Sequence, residues 1–178
     1  AEGNLVHYAD NPLVAGLYAL IYFLVGNSAN WLVHACTFGR IVLFALLWGG
    51  ALKVARAFTN RAPPLILLGL AMISPIFSLL LHNPSDALFA AMASFAFAYL
   101  KLFSSGGKKR DLLLGSVFLG LAALARNDGL TLFPIFVALA VFTRPKDVPL
   151  LPSLVRATVP FALLLGGYLF VHGVATGD

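Results

Sequence analysis

A single cysteine, Cys36, excludes an internal disulfide and any cysteine-based metal cluster. Charge is almost as scarce: only 11% of the 178 residues are charged and 60% are hydrophobic, where a soluble domain carries roughly 25% charged residues. That shortage excludes a water-soluble fold and marks an integral membrane protein. Acids are rarer than bases, seven against twelve, yet the net charge of +5 does not point to nucleic acid. Ten of the twelve bases fall in or beside short loops on one expected face, the orientation signal of a polytopic protein. There is no P-loop, no GxGxxG, no Ser/His/Asp order and no heptad pattern. Gly106-Gly107-Lys108 lacks Walker spacing, and His7, His34 and His172 carry no metal-ligand spacing with one another.

What the chain has is apolar runs, and two of them organise the rest. Residues 112–125 and 130–142 are broken only by Arg126-Asn127-Asp128-Gly129. One straight helix of that length would overshoot a ~30 Å hydrocarbon core and carry two charges in its middle. It would also put Lys108-Lys109-Arg110 and Arg144/Lys146 on opposite sides of a membrane, against the positive-inside tendency. A hairpin that turns at residues 126–129 removes both conflicts.

The remaining runs follow the same logic. Asn11 as N-cap and Pro12 at the first helical position open a short apolar helix over residues 12–25, expected to lie at the membrane interface. Spans are expected at residues 31–52, 65–81 (with Pro75 as a kink), 87–100, 112–125, 130–142 and 154–171. Residues 104–110 and 143–152 are expected as inner loops. The expected fold is therefore all-α: a polytopic bundle of about six transmembrane helices plus one N-terminal juxtamembrane interfacial helix, a single module over residues 1–178. Lys53, Arg56, Arg61, Lys101, Lys108, Lys109, Arg110, Arg144, Lys146 and Arg156 share the inner face. Glu2, Asp10, Asp86, Asp128 and Asp178 share the outer side. The chain opens Ala1-Glu2-Gly3 with no signal-peptide pattern. A start on the outer face implies an earlier span, so a piece of a longer protein is expected.

Six positions could carry chemistry, each with a structural alternative. Asp10 could accept a proton or bind a divalent metal at the membrane surface, or simply favour a helix N-terminus. Asp86 could share an outer cavity with Asp10, or serve at N3 of a helix capped by Asn83 with Pro84 at N1. His82 beside it is a proton carrier or a structural histidine. Arg126 and Asp128 sit below the outer surface, because both flanking runs fall short of the ~20 residues of a full span. Asn127 can cap the returning helix, whose N-terminus favours an anion, and Arg126 adds a fork suited to phosphate. The alternative is an Arg126–Asp128 pair that only neutralises the turn. Arg40, nine residues inside Trp31 and so ~13 Å deep, is a functional candidate or the partner of an acid on a neighbouring helix.

The order of these motifs is itself a signal. Asp10-Asn11-Pro12 is followed by Gly26, then by Gly39-Arg40, then by Asp86-Ala87-Leu88-Phe89 after a Pro-containing span, and last by the stretch from Leu119 to Leu130 reading GLAALAR-x-x-GL. From Asp10 to Phe170 this order resembles the N-terminal membrane module of GT-C glycosyltransferases, the lipid-phosphate-sugar-dependent group that includes protein mannosyltransferases and lipid A aminoarabinose transferases. The resemblance implies a multi-span enzyme that takes a sugar from a polyprenyl- or dolichyl-phosphate carrier on the outer or lumenal face. It implies Asp10 and Asp86 as catalytic-site acids. It implies Arg126 and Arg40, with Asp128 and His82, as the group around the carrier phosphate. It implies a divalent metal, if any, at Asp10. Two departures stand out. Some family members have a phosphate-contacting Lys where this chain has Asn11, and the family's first acidic motif lies well upstream of Asp10. The competing expectation is a non-catalytic membrane subunit derived from such a module and packed in a larger membrane complex. A transporter is weaker, because no inverted halves are visible.

Overall fold

The computed structural model describes residues 12–25, 31–58 and 83–176. The expected span at residues 65–81 lies outside them. Six helices account for nearly all the described residues, with no strand among them: α1 Pro12–Val25, α2 Trp31–Phe58, α3 Pro84–Gly106, α4 Lys109–Ala125, α5 Asp128–Phe142 and α6 Leu150–Thr176.

The helix ends follow local chemistry. Asn83 is the extended N-cap of α3 and its side-chain oxygen accepts from the Ser85 N–H, while Pro84 occupies the first turn, where no N–H is needed. α3 ends at Gly107, whose φ of 64° lets its N–H return to the Phe103 carbonyl at 2.7 Å. That one left-handed residue makes the turn, so α4 restarts at Lys109. The loop expected over residues 104–110 shrinks to Gly107 and Lys108. In the same way α6 begins at Leu150, with Pro152 tolerated in its first turn.

Three stretches are long and apolar enough to cross a membrane: Thr37–Phe58, Pro84–Gly106 and Leu150–Val174. They fit a membrane protein. The expectation of about six spans is therefore met only in part among the described residues. α4 and α5, with 17 and 15 residues, are two separate short helices. At 1.5 Å per residue they reach ~26 and ~23 Å, short of a ~30 Å core.

Side-chain contacts give the helix directions. α3 and α4 run antiparallel. Phe118 stacks on both Phe95 and Tyr99, with centroids 5.0 and 5.7 Å apart. Gly115 lets the two backbones close up, since a Cβ there would lie 3.1 Å from the Ala96 carbonyl oxygen. α4 and α6 run parallel: the buried Ser116 hydroxyl donates to the Ala157 carbonyl at 2.7 Å, and Gly120 faces Leu164. α5 returns alongside both, stacking Phe133 on Phe161 and Phe136 against Gly115. α2 runs parallel to α3, with Gly50 against Ala91 and Ser94, Lys53 over Tyr99, and Phe58 under Lys101. Phe58 and Asn83 consequently lie at opposite ends of that pair.

These directions sort the charges. Lys53, Arg56, Lys101, Lys108, Lys109, Arg110, Arg144, Lys146 and Arg156 fall at one end of the bundle together with two acids, Asp111 and Asp147, and Asp86, Arg126 and Asp128 fall at the other. One buried cluster, built on Leu100, Phe103, Leu112, Phe136 and Phe161, supports the basic end. A second, in which Val14 of α1 joins Leu43, Leu47, Ala87, Leu88, Ala122 and Ala125, supports the other.

Candidate charge cluster at the hairpin end

The reversal from α4 to α5 is unusually tight. α4 ends at Ala125, and Arg126 takes an extended conformation with its N–H on the Ala122 carbonyl at 3.0 Å. The Gly129 N–H then bonds the Arg126 carbonyl at 2.9 Å, and α5 is already under way. Only glycine fits at 129, because a Cβ would sit 2.5 Å from the backbone nitrogen and Cα of Ala123. Asn127 was the expected cap of α5, and this expectation is corrected. It occupies the N-cap position with helical angles (φ −58°, ψ −25°) and makes no side-chain cap bond. The turn draws residue 127 into the helical region, where its side chain cannot reach back to the first free N–H groups. The Thr131 hydroxyl, 2.6 Å from the Asp128 carbonyl, ties the first turn instead.

The tight turn aims the Arg126 side chain across the end of the bundle. Its Nε donates to Oδ2 of Asp128 at 3.0 Å, and its Nη2 lies 2.8 Å from the same oxygen as an ion pair. Its Nη1 donates to Oδ1 of Asp86, at the start of α3. The other Asp86 oxygen accepts from Asn83 Nδ2 at 2.7 Å. Asn83, Asp86, Arg126 and Asp128 thus form one chain of polar contacts across three helix ends. The Asp86 side chain is 29% exposed, Arg126 40% and Asp128 61%, so the cluster opens towards Asp128. One guanidinium faces two carboxylates, and each carboxylate lies in a first helical turn, where the backbone supplies partial positive charge. Such an arrangement can exchange one anion for another at Arg126 without leaving the guanidinium unpaired.

The two local alternatives for these residues are both realised. Asp86 takes part in the Asn83 capping arrangement, and Arg126 pairs with Asp128. The link between Asp86 and Arg126 is the feature sequence reasoning missed. The signal was there: both residues lie at nearly equal chain distances from Gly107, so an antiparallel α3–α4 pair brings them level.

The other candidates are not gathered here. Arg40 is exposed on α2 and lines a shallow cavity with Thr37, Ile41 and Phe44. Among the described residues it has no carboxylate partner, so the pairing expected for it is not found there. Asp10 and His82 lie outside the described residues. Pro12, two residues after Asp10 in the chain, opens α1, and Val14 is fully buried in the cluster beneath the charged end. No group of three or more metal-ligating side chains occurs among the described residues. Comparisons with protein-family models, with characterised proteins and with solved structures find no match for this chain.

Proposed function

We propose that this chain is a GT-C-type glycosyltransferase module that takes a sugar from a polyprenyl- or dolichyl-phosphate donor at the hairpin end of the bundle. The observation that carries the reading is the meeting of Asp86 and Arg126, two positions that the motif order singles out separately, at the end where the start of α1 is also packed. In this reading the guanidinium of Arg126 exchanges a carboxylate for the carrier phosphate and stabilises the charge that develops on it as the glycosidic bond breaks. Asp10 activates the acceptor or holds a divalent metal, Asp86 shapes the cavity, and Asp128 and His82 complete the surroundings of the carrier phosphate; Arg40, apart from the cluster on α2, meets the carrier elsewhere along its length. The basic loops face the cytoplasm and the hairpin end faces outwards, in the bacterial cytoplasmic membrane or in the endoplasmic reticulum of a eukaryote.

The test is transfer by the full-length protein in liposomes, with a panel of radiolabelled polyprenyl-phosphate pentoses and hexoses. Asp10→Asn abolishes transfer, and Arg126→Gln lowers kcat on the order of 100-fold, the scale of losing one donor to a developing charge. Undiminished transfer by Asp10→Asn overturns the site assignment.

One observation favours a second reading, a non-catalytic subunit that packs in a larger membrane complex. Arg126 is already held by two carboxylates, which is what a turn that only neutralises itself requires. The intact mass of the natural protein separates the readings. A mass near 18.9 kDa puts the subunit first, and one several-fold larger puts the enzyme first.

A further inference from the structure

The basic end holds a groove that the glycosyltransferase reading does not use. It lies between α3 and α5 beside the end of α2, and is lined by Phe58, Phe97, Leu100, Lys101, Ser104, Leu139 and Thr143. Its polarity is graded along the bundle. Ser104 and Thr143 lie nearest the end. Lys101 lies one turn deeper on α3, and Leu139 one turn deeper on α5. Phe97 lies a further turn inwards. Counted from Gly106 at the end of α3, Lys101 is about 8 Å in, the depth at which a headgroup gives way to acyl chains. Hydroxyls, then a cation, then apolar walls is the order of groups that an anionic phospholipid meets from its headgroup downwards.

The charges agree with that occupant. Lys101 is half-buried, its ammonium 5.7 Å from the Phe58 ring centroid, with no carboxylate partner among the described residues. Lys53 lies 4.5 Å over Tyr99 at the same end of the bundle. Arg144 and Arg156 are held by the carbonyls of Val148 and Pro152, so their charge is positioned but not neutralised. Every one of these cations stands at the end of the bundle that holds the groove. The cavity, about 280 Å³, takes the phosphate-proximal part of one lipid and leaves the rest of its chains in the bilayer.

We propose that this groove holds one anionic phospholipid of the adjacent leaflet, its phosphate on Lys101 and an acyl chain against Phe97, Leu100 and Leu139. The proposal rests on the membrane setting and not on the glycosyltransferase reading. The test is native mass spectrometry of the whole protein released from micelles containing equimolar phosphatidylglycerol and phosphatidylcholine. One phosphatidylglycerol is retained in preference. Lys101→Gln reduces that preference about fivefold, the value of one basic residue at an anionic surface. Leu139→Trp fills the groove, keeps every charge and reduces the preference at least as much; Leu139 is partly exposed, so the larger ring is accommodated. Lys146→Gln, an exposed base of the same end outside the groove, leaves the preference unchanged. Full retention by Leu139→Trp, or equal losses in Lys146→Gln and Lys101→Gln, would show a diffuse surface field and overturn the site. So would an unselective wild-type protein.

Discussion

The two ends of the bundle treat charge in opposite ways. At the hairpin end, Arg126 is met by two carboxylates, and Asp86 is met in turn by Asn83. At the basic end, Lys53 and Lys101 lie against aromatic rings, and Arg144 and Arg156 lie against backbone carbonyls. The first arrangement closes on itself, because each charge meets an opposite one within hydrogen-bonding distance, with one carboxylate in excess. The second orients cations and leaves their charge for something outside the chain. Stability should therefore be concentrated in the hairpin end, and response to external anions in the basic end.

The largest expected effect breaks the hairpin end directly. Gly129→Ala sets a methyl group 2.5 Å from the Ala123 backbone, which cannot rotate out of the way, so the turn must open. The cost is about 3 kcal/mol, at the upper end for overpacking. It reads out as a lowered thermal midpoint in detergent together with loss of the α4–α5 contact by cross-linking. A midpoint at the wild-type value would mean that the hairpin is less tight than described.

Arg126→Gln comes next. It leaves Asp86 and Asp128 without their shared cation. A fully buried pair broken this way loses about 3–5 kcal/mol and an exposed one about 0–1. With Arg126 40% exposed, about 2 kcal/mol is expected. Adding Asp86→Asn removes one of the orphaned charges, so the double variant recovers about 1 kcal/mol relative to the sum of the single losses. Strict additivity would mean the contact contributes nothing.

The contrast between the ends also explains what could be read from the sequence. Helix positions were legible because they follow apolar runs and local signals such as the break at residues 126–129 and Asn83-Pro84; their extents were less so, since α2, α3 and α6 run up to six residues past the expected spans 31–52, 87–100 and 154–171. The gathering of the bases at one end was legible because charge placement follows the alternation of helix directions, although Asp111 and Asp147 stand among them. The partnerships were not. Asp86 meets Arg126 only once α3 and α4 are folded about a turn of two residues, and reading residues 104–110 as a longer loop hid that symmetry. Asn127 has the right chemistry for a cap, but Gly129 closes the turn so sharply that tertiary packing overrides the local preference. The rings beneath Lys53 and Lys101 belong to neighbouring helices, which no local pattern reveals. Asp10 and His82 remain expectations from the motif order.

At the basic end the same kind of substitution should cost far less. Lys53→Gln removes a cation over the Tyr99 ring, a contact that contributes about 0.5–1 kcal/mol. The thermal midpoint in neutral detergent should barely move. In micelles containing phosphatidylglycerol the wild-type protein should gain more stability than the variant, because a lipid that binds only the folded state stabilises it. A loss as large as that of Arg126→Gln in neutral detergent would erase the distinction between the two ends.

The smallest stability effect is expected for Asp128→Asn, and its sign in a binding assay is the most informative. Asp128 is 61% exposed, so its ion pair is largely screened and the loss should stay below about 0.5 kcal/mol. Its carboxylate nevertheless occupies the open side of the Arg126 fork, where an incoming phosphate would have to sit. An amide in its place is a neutral and weaker competitor. If Arg126 receives a lipid phosphate, Asp128→Asn should tighten binding of polyprenyl phosphate by a few-fold, about 1 kcal/mol or less. Asp86→Asn should do the same more weakly, because Asn83 holds that carboxylate on the far side. Unchanged binding in both variants would show that no anion enters the fork, and the cluster would then be the self-neutralised end of a structural subunit.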